Sequence, residues 1–122
     1  MNFFDSFYKK DKDQKKMNFS LEVGPHTDLE TLPPVKDVYV TMLPGGDYKE
    51  TAAKSGDLVK KGFNPVPHFP ARSILDEHQL KDFITRCKDV GTKQALVIGG
   101  SRDPIGKFDS SIQILETGFF DG

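Results

Sequence analysis

A chain of 122 residues, 36% hydrophobic and 29% charged, has the length of one ordinary domain with a real core. Its 17 basic and 18 acidic residues leave a net charge of −1, so no global field favours nucleic acid or an anionic membrane. The single cysteine, Cys87, excludes an internal disulfide. No run approaches the roughly 20 apolar residues of a membrane helix, and no secretory leader is recognisable, so a cytoplasmic, reducing location is expected.

Residues 1–16 read as a charged arm: a cluster of Phe3, Phe4, Phe7 and Tyr8, then the solvated run Lys9-Lys-Asp-Lys-Asp-Gln-Lys-Lys16. The aromatic spacing allows a short amphipathic helix at a membrane surface or a partner, but an arm that packs its aromatics on the domain, or frays, is the expected form. Met17 opens the globular pattern and is a possible alternative start.

From there the chain alternates strand and helix. Strand-like runs occupy Asn18–Val23, Asp37–Thr41, Asn64–His68 and Gln94–Gly100. A short helix capped by Thr27 or Asp28 follows the first, and Pro33-Pro34 ends it. After the second strand comes the turn-forming Leu43-Pro-Gly-Gly-Asp47, then an amphipathic helix over Tyr48–Lys61 with Tyr48, Ala52, Leu58 and Val59 to one side. Gly62 stops it. The third strand carries Pro65 and Pro67 two residues apart; their missing donors predict a distorted or short strand. Asp76 caps the next helix, with Gln79 at the capping-box position and Leu80, Phe83, Ile84 and Cys87 as its buried stripe. That spacing makes Cys87 a packed thiol rather than a reactive one. The fourth strand is continuous and apolar, as a buried parallel strand should be. A last helix starts near Ser110, with Ile112 and Leu115 inward, and two bare aromatics, Phe119 and Phe120, stand near the end in a way a finished domain seldom shows.

Strand–helix repetition of this kind predicts a parallel sheet with crossover helices, four β/α units of a TIM-type barrel: a half barrel over residues 17–122. In such folds the carboxyl ends of the strands carry the site, and Glu22, Thr41, His68 and the Gly99-Gly100-Ser101 turn fall there. Glu22, between Leu21 and Val23, is a candidate general acid, since a half-desolvated carboxyl has a raised pKa; the competing reading is a solvent-facing position in an alternating strand. His68 is read as a donor to a ligand phosphate or flavin edge, as a partner of Glu22, or as a satisfied core histidine. Gly45-Gly46 and Gly99-Gly100 could admit a phosphate or form plain turns, and Arg72 and Arg102 would add positive charge nearby. His26, His78 and Cys87 show no metal-ligand spacing, so no metal is expected.

Taken in order, these pieces resemble the methylenetetrahydrofolate reductase family. Its flavin-dependent barrel opens with Ser-Phe-Glu-Phe-Phe-Pro-Pro, matched here by Ser20-Leu-Glu-Val-Gly-Pro-His26. Its second strand ends Val-Ser-Val-Thr, and Val38-Tyr-Val-Thr41 matches; its third ends Pro-His-Leu, and Pro67-His-Phe69 matches. Its fourth reads Ala-Leu-Arg-Gly-Asp, where this chain has Val97-Ile-Gly-Gly-Ser101. The resemblance implies an FAD-dependent oxidoreductase of one-carbon metabolism that uses NAD(P)H to reduce methylene- to methyl-tetrahydrofolate. It implies Glu22 as the acid on the folate nitrogen, Thr41 beside the flavin and His68 on it. It further places the Gly99-Gly100-Ser101 turn along the cofactor and Phe108 near the family's next flavin-contacting tyrosine.

Departures accompany it. The family's arginine and aspartate of strand four become Gly99 and Ser101, with Asp103 the nearest replacement for the acid. The family's Tyr-Pro-Glu strand and later contacts have no counterpart within these 122 residues. The expectation is therefore the amino-terminal half of a divergent member, binding FAD weakly and inactive alone. The alternative is a non-catalytic half barrel that binds a small ligand or nothing. Two raw sheet edges, near 18–23 and 94–99, lead either reading to expect a homo-oligomer.

Overall fold

The computed structural model describes residues 21–100 and 102–121, together with the backbone of 6–9. Five parallel strands, β1 (Ser6–Lys9), β2 (Leu21–Val23), β3 (Asp37–Val40), β4 (Asn64–Pro70) and β5 (Gln94–Ile98), form one sheet in the order β1-β5-β4-β3-β2. The helices α1 (Tyr48–Lys60), α2 (Glu77–Asp89) and α3 (Ser111–Glu116) fall between or after them. The mixed α/β class and the strand–helix alternation are those expected, compatible with a half barrel. Among the described residues no helix is long and apolar enough to cross a membrane.

Local chemistry accounts for the helices. Asp47 and Asp76 accept from the backbone N–H of Lys49 (2.9 Å) and Gln79 (2.8 Å), satisfying donors that open α1 and α2. Gln79 reaches back to Leu75 N–H at 2.8 Å rather than to the cap itself. The expected stripe Leu80, Phe83, Ile84 and Cys87 is buried. The segment after β2 forms a single 3-10 turn, Leu29–Thr31, with Asp28 as its cap.

Behind the sheet the strands meet the helices in two hydrophobic clusters. Register pairs Val23 with Val40 and Phe69 with Val97, and these side chains share the face that receives the helices. Leu58 of α1 joins Val23, Val38 and Val40; Leu80 and Phe83 of α2 join Phe69, Ala95 and Val97. Phe69 stacks on Phe83 with centroids 4.0 Å apart and meets Phe120 edge-on at 5.2 Å. Phe120 is thus a core residue, not a bare one, and Phe119 packs partly against the same cluster. In α3 Ile114 is fully buried and Leu115 packs partly against the core as expected, whereas Ile112, also expected inward, is 52% exposed.

Two further expectations are overturned. β4 is seven residues long, the longest strand, despite its prolines. Alternate residues of a strand turn their N–H groups to opposite neighbours, and Asn64 N–H bonds the Lys36 carbonyl beside β3. Pro65 and Pro67 therefore lose donors only toward β5, where the paired residues begin at His68 with Leu96. The β3 side keeps its donors, and the strand survives.

The other correction concerns the β5 edge. Residues 6–9 are a strand, β1, parallel to β5 with Ser6 opposite Gln94 and Lys9 opposite Val97. The β5 edge is therefore not raw, and β2 lies at the other end of the sheet. The remainder of the arm and residues 18–20 of the expected first strand lie outside the described residues.

Candidate functional site

The opposite face of the sheet carries three of the candidate residues. Register sets Glu22 beside Tyr39, Tyr39 beside Val66, and His68 beside Leu96. Because side chains two apart share a face, Glu22, Tyr39, His68 and Leu96 all project away from the described helices. Tyr39 stands edge-on to His68, ring centroids 6.0 Å apart and planes at 62°. His68 is 6% exposed, Tyr39 half-buried and Glu22 exposed. An imidazole, a phenol and a carboxylate thus line one face near the carboxyl ends of three adjacent strands.

Glu22 does not meet the expectation of a half-desolvated acid within the chain as it stands, because nothing in the described residues covers that end of the face. Thr41 follows β3 directly, and its hydroxyl is already engaged. Both its N–H (2.9 Å) and its Oγ1 (3.2 Å) donate to the Val23 carbonyl, fastening β2 to β3. Its own carbonyl accepts from Thr51 Oγ1 at 3.5 Å, which seats α1 beneath it. Thr41 therefore has a structural duty, and only a lone pair of its hydroxyl remains for a ligand.

Phe108 is not on this face. It is 3% exposed and belongs to the helix-side core with Phe69, Phe83 and Ile114, so the expected flavin contact is corrected to a packing residue. Gly99 and Gly100 follow β5; a side chain at Gly99 would meet open space, and Gly100 has φ of 100°. Ser101 lies outside the described residues. The other glycine pair is a plain turn: Gly46 N–H bonds the Leu43 carbonyl at 2.8 Å across Pro44 and Gly45, whose φ of 80° the turn requires. It offers no phosphate cradle.

Positive charge at the rim is partly spent. Arg72 Nε donates to the Asp109 carbonyl at 2.9 Å and to its Oδ1 at 3.1 Å. Those bonds belong to a clasp between the loops after β4 and β5, in which Ile105 N–H bonds the Arg72 carbonyl (3.0 Å) and Lys107 N–H that of Leu75 (3.2 Å). Lys107 also pairs with Glu77 at 2.9 Å. Arg102 is half-exposed and Asp103 exposed beside this clasp. Among the described residues no group of three His, Cys, Asp or Glu side chains is placed to hold a metal.

Tyr39 is the residue that sequence reasoning missed. Its signal was available: it stands two before Thr41 in the same strand, hence on one face with it, and parallel pairing then sets it between Glu22 and His68. No family model matches the chain.

Proposed function

We propose that the face turned away from the described helices is one half of a flavin and folate site, and that the chain is a half-barrel relative of methylenetetrahydrofolate reductase. The observation that carries this reading is the shared face of Glu22, Tyr39 and His68, with Tyr39 ring and His68 ring 6.0 Å apart. An aromatic edge and an imidazole suit a flat heteroaromatic cofactor, whereas Thr41 and Phe108 are committed elsewhere. His68 and Tyr39 would hold such a ring; when bound, the flavin supplies hydride transfer from a reduced nicotinamide to the methylene carbon. Glu22 would hold the proton delivered to the folate nitrogen.

A half-site binds weakly. Each lost factor of ten in affinity is only about 1.4 kcal/mol, and a reacting pair misplaced by about 1 Å can lose on the order of a hundredfold in rate. The isolated chain is accordingly a weak FAD binder without turnover. NMR titration with FAD and with a folate tests the reading. Shifts confined to Tyr39, His68 and their neighbours support it. No perturbation at millimolar ligand would leave the non-catalytic half barrel, and methyl-folate formed above a Glu22→Gln control would refute the half-site.

A further inference from the structure

We propose that the groove at the amino ends of β3, β4 and β5 binds a small aromatic dicarboxylate, at the end of the sheet opposite the one that Thr41 and Gly99 mark. The groove has a volume of about 470 Å³, in the range of small-molecule sites, and its walls include Lys36, Val59, Phe63, Asn64, Pro65 and Lys93. Both long helices stop at it on glycines. Gly62 and Gly91, with φ of 90° and 94°, line the groove and bring no side chain into it.

Floor and rim differ in chemistry. Val59 and Phe63 are half-buried and Pro65 is buried, an apolar surface on which a ring can lie. A polar row crosses the strand ends: Asn64 Nδ2 donates to Asp37 Oδ1 at 2.9 Å and to Gln94 Oε1 at 2.6 Å. Asn64 N–H bonds the Lys36 carbonyl at 2.8 Å. The Asn64 amide has thus spent both hydrogens and offers a ligand no donor. Charge is left to the lysines. Lys36 precedes β3 and Lys93 precedes β5, two strands apart, so their backbones stand roughly 10 Å from each other on either side of Asn64. Both are exposed, and neither forms an ion pair among the described residues, whereas Lys61, Lys107, Arg72 and Arg86 all do. Against them stands Asp37, the carboxylate of the row, which the Asn64 amide already engages. Two unspent cations flanking an apolar floor fit a rigid apolar body with an anionic group at each end; a single-headed anion would leave one lysine unanswered. Thr92, between Gly91 and Lys93, is 2% exposed, and its hydroxyl has no hydrogen-bond partner among the described residues. A buried hydroxyl normally has one, and a carboxylate held at Lys93 would supply the acceptor.

NMR titration of the full chain with naphthalene-2,6-dicarboxylate, compared with 2-naphthoate, tests the assignment. Shifts are expected at the amides of Phe63, Asn64, Thr92 and Lys93. The dicarboxylate should bind at least about tenfold tighter than the monoanion, the worth of one charged contact. Lys36→Met and Lys93→Met keep an apolar stem and remove the charge, and each should erase that preference. If a variant fails to fold, wild type alone decides, because the preference must shrink as salt rises. No shift at millimolar dicarboxylate, equal affinity for the two ligands, or a preference indifferent to salt or to both substitutions overturns the proposal. So do shifts at Glu22, Tyr39 and His68 in place of these. The groove shares no residue with the flavin and folate reading, so either can fail alone.

Discussion

Tyr39 and His68 meet edge to face across two neighbouring strands, their ring centroids 6.0 Å apart. The contact ties the middle of β3 to the carboxyl-terminal half of β4 on the face turned away from the described helices. An edge-to-face pair of this kind contributes about 0.5–1.5 kcal/mol beyond its buried area. A double-mutant cycle with Tyr39→Leu and His68→Leu, followed by urea unfolding, should return a coupling in that range. A coupling indistinguishable from zero would separate the two rings energetically and weaken the site they define.

Gly106 has no room for a side chain. A Cβ there would lie 1.8 Å from the Leu75 carbonyl oxygen, which is backbone and itself bonded to Lys107 N–H. Gly106→Ala must therefore push the two loops apart. Overpacking of this sort costs about 1–3 kcal/mol. The thermal midpoint should fall accordingly, and Arg72→Ala, which removes only an exposed part of the same clasp, should cost less.

Tyr48 couples α1 to α2. Its hydroxyl donates to Asp82 Oδ2 at 2.5 Å, and Arg86 Nε donates to the same oxygen at 2.9 Å. Burial, then the hydrogen bond to Asp82, pushes the phenol pKa up to about 12, above its ordinary 10. The folded state thus holds this proton after the unfolded chain has released it. Stability from the contact is complete below pH 10 and declines as pH rises toward about 12. The urea midpoint of wild type should drop across that window more steeply than that of Tyr48→Phe. Asp82 behaves in the opposite sense: its hydrogen bonds from Tyr48 and Arg86 hold its carboxyl below the usual range, so their support is lost in acid.

Cys87 is fully buried in the α2 stripe, and burial drives its thiol pKa far above the ordinary value. The thiolate is the reacting species, so the folded protein should be inert to a disulfide reagent at pH 8. Denaturant should release one reactive thiol per chain. Rapid labelling of the native protein would show that α2 opens readily.

What could be read from the sequence was local. Asp76 and the stripe Leu80, Phe83, Ile84 and Cys87 specify α2 within a few turns, and their periodicity survives any tertiary context. The apolar run of β5 and the Asp47 cap of α1 are legible for the same reason. Parallel alternation even placed Glu22, Thr41 and His68 near one end of the sheet. Whether those side chains can act was decided elsewhere. Thr41 spends its hydroxyl on Val23, a contact between residues 18 apart, and Phe108 and Phe120 are buried by helices packed behind β4. Pro65 and Pro67 are tolerated because Asn64 fixes which neighbour each N–H faces. Above all, the pairing of Ser6–Lys9 with Gln94–Val97 joins segments 88 residues apart in the chain. Periodicity reports which face of an element is apolar; only closure of the sheet determines which strand lies beside which, and so which edge is left for a partner.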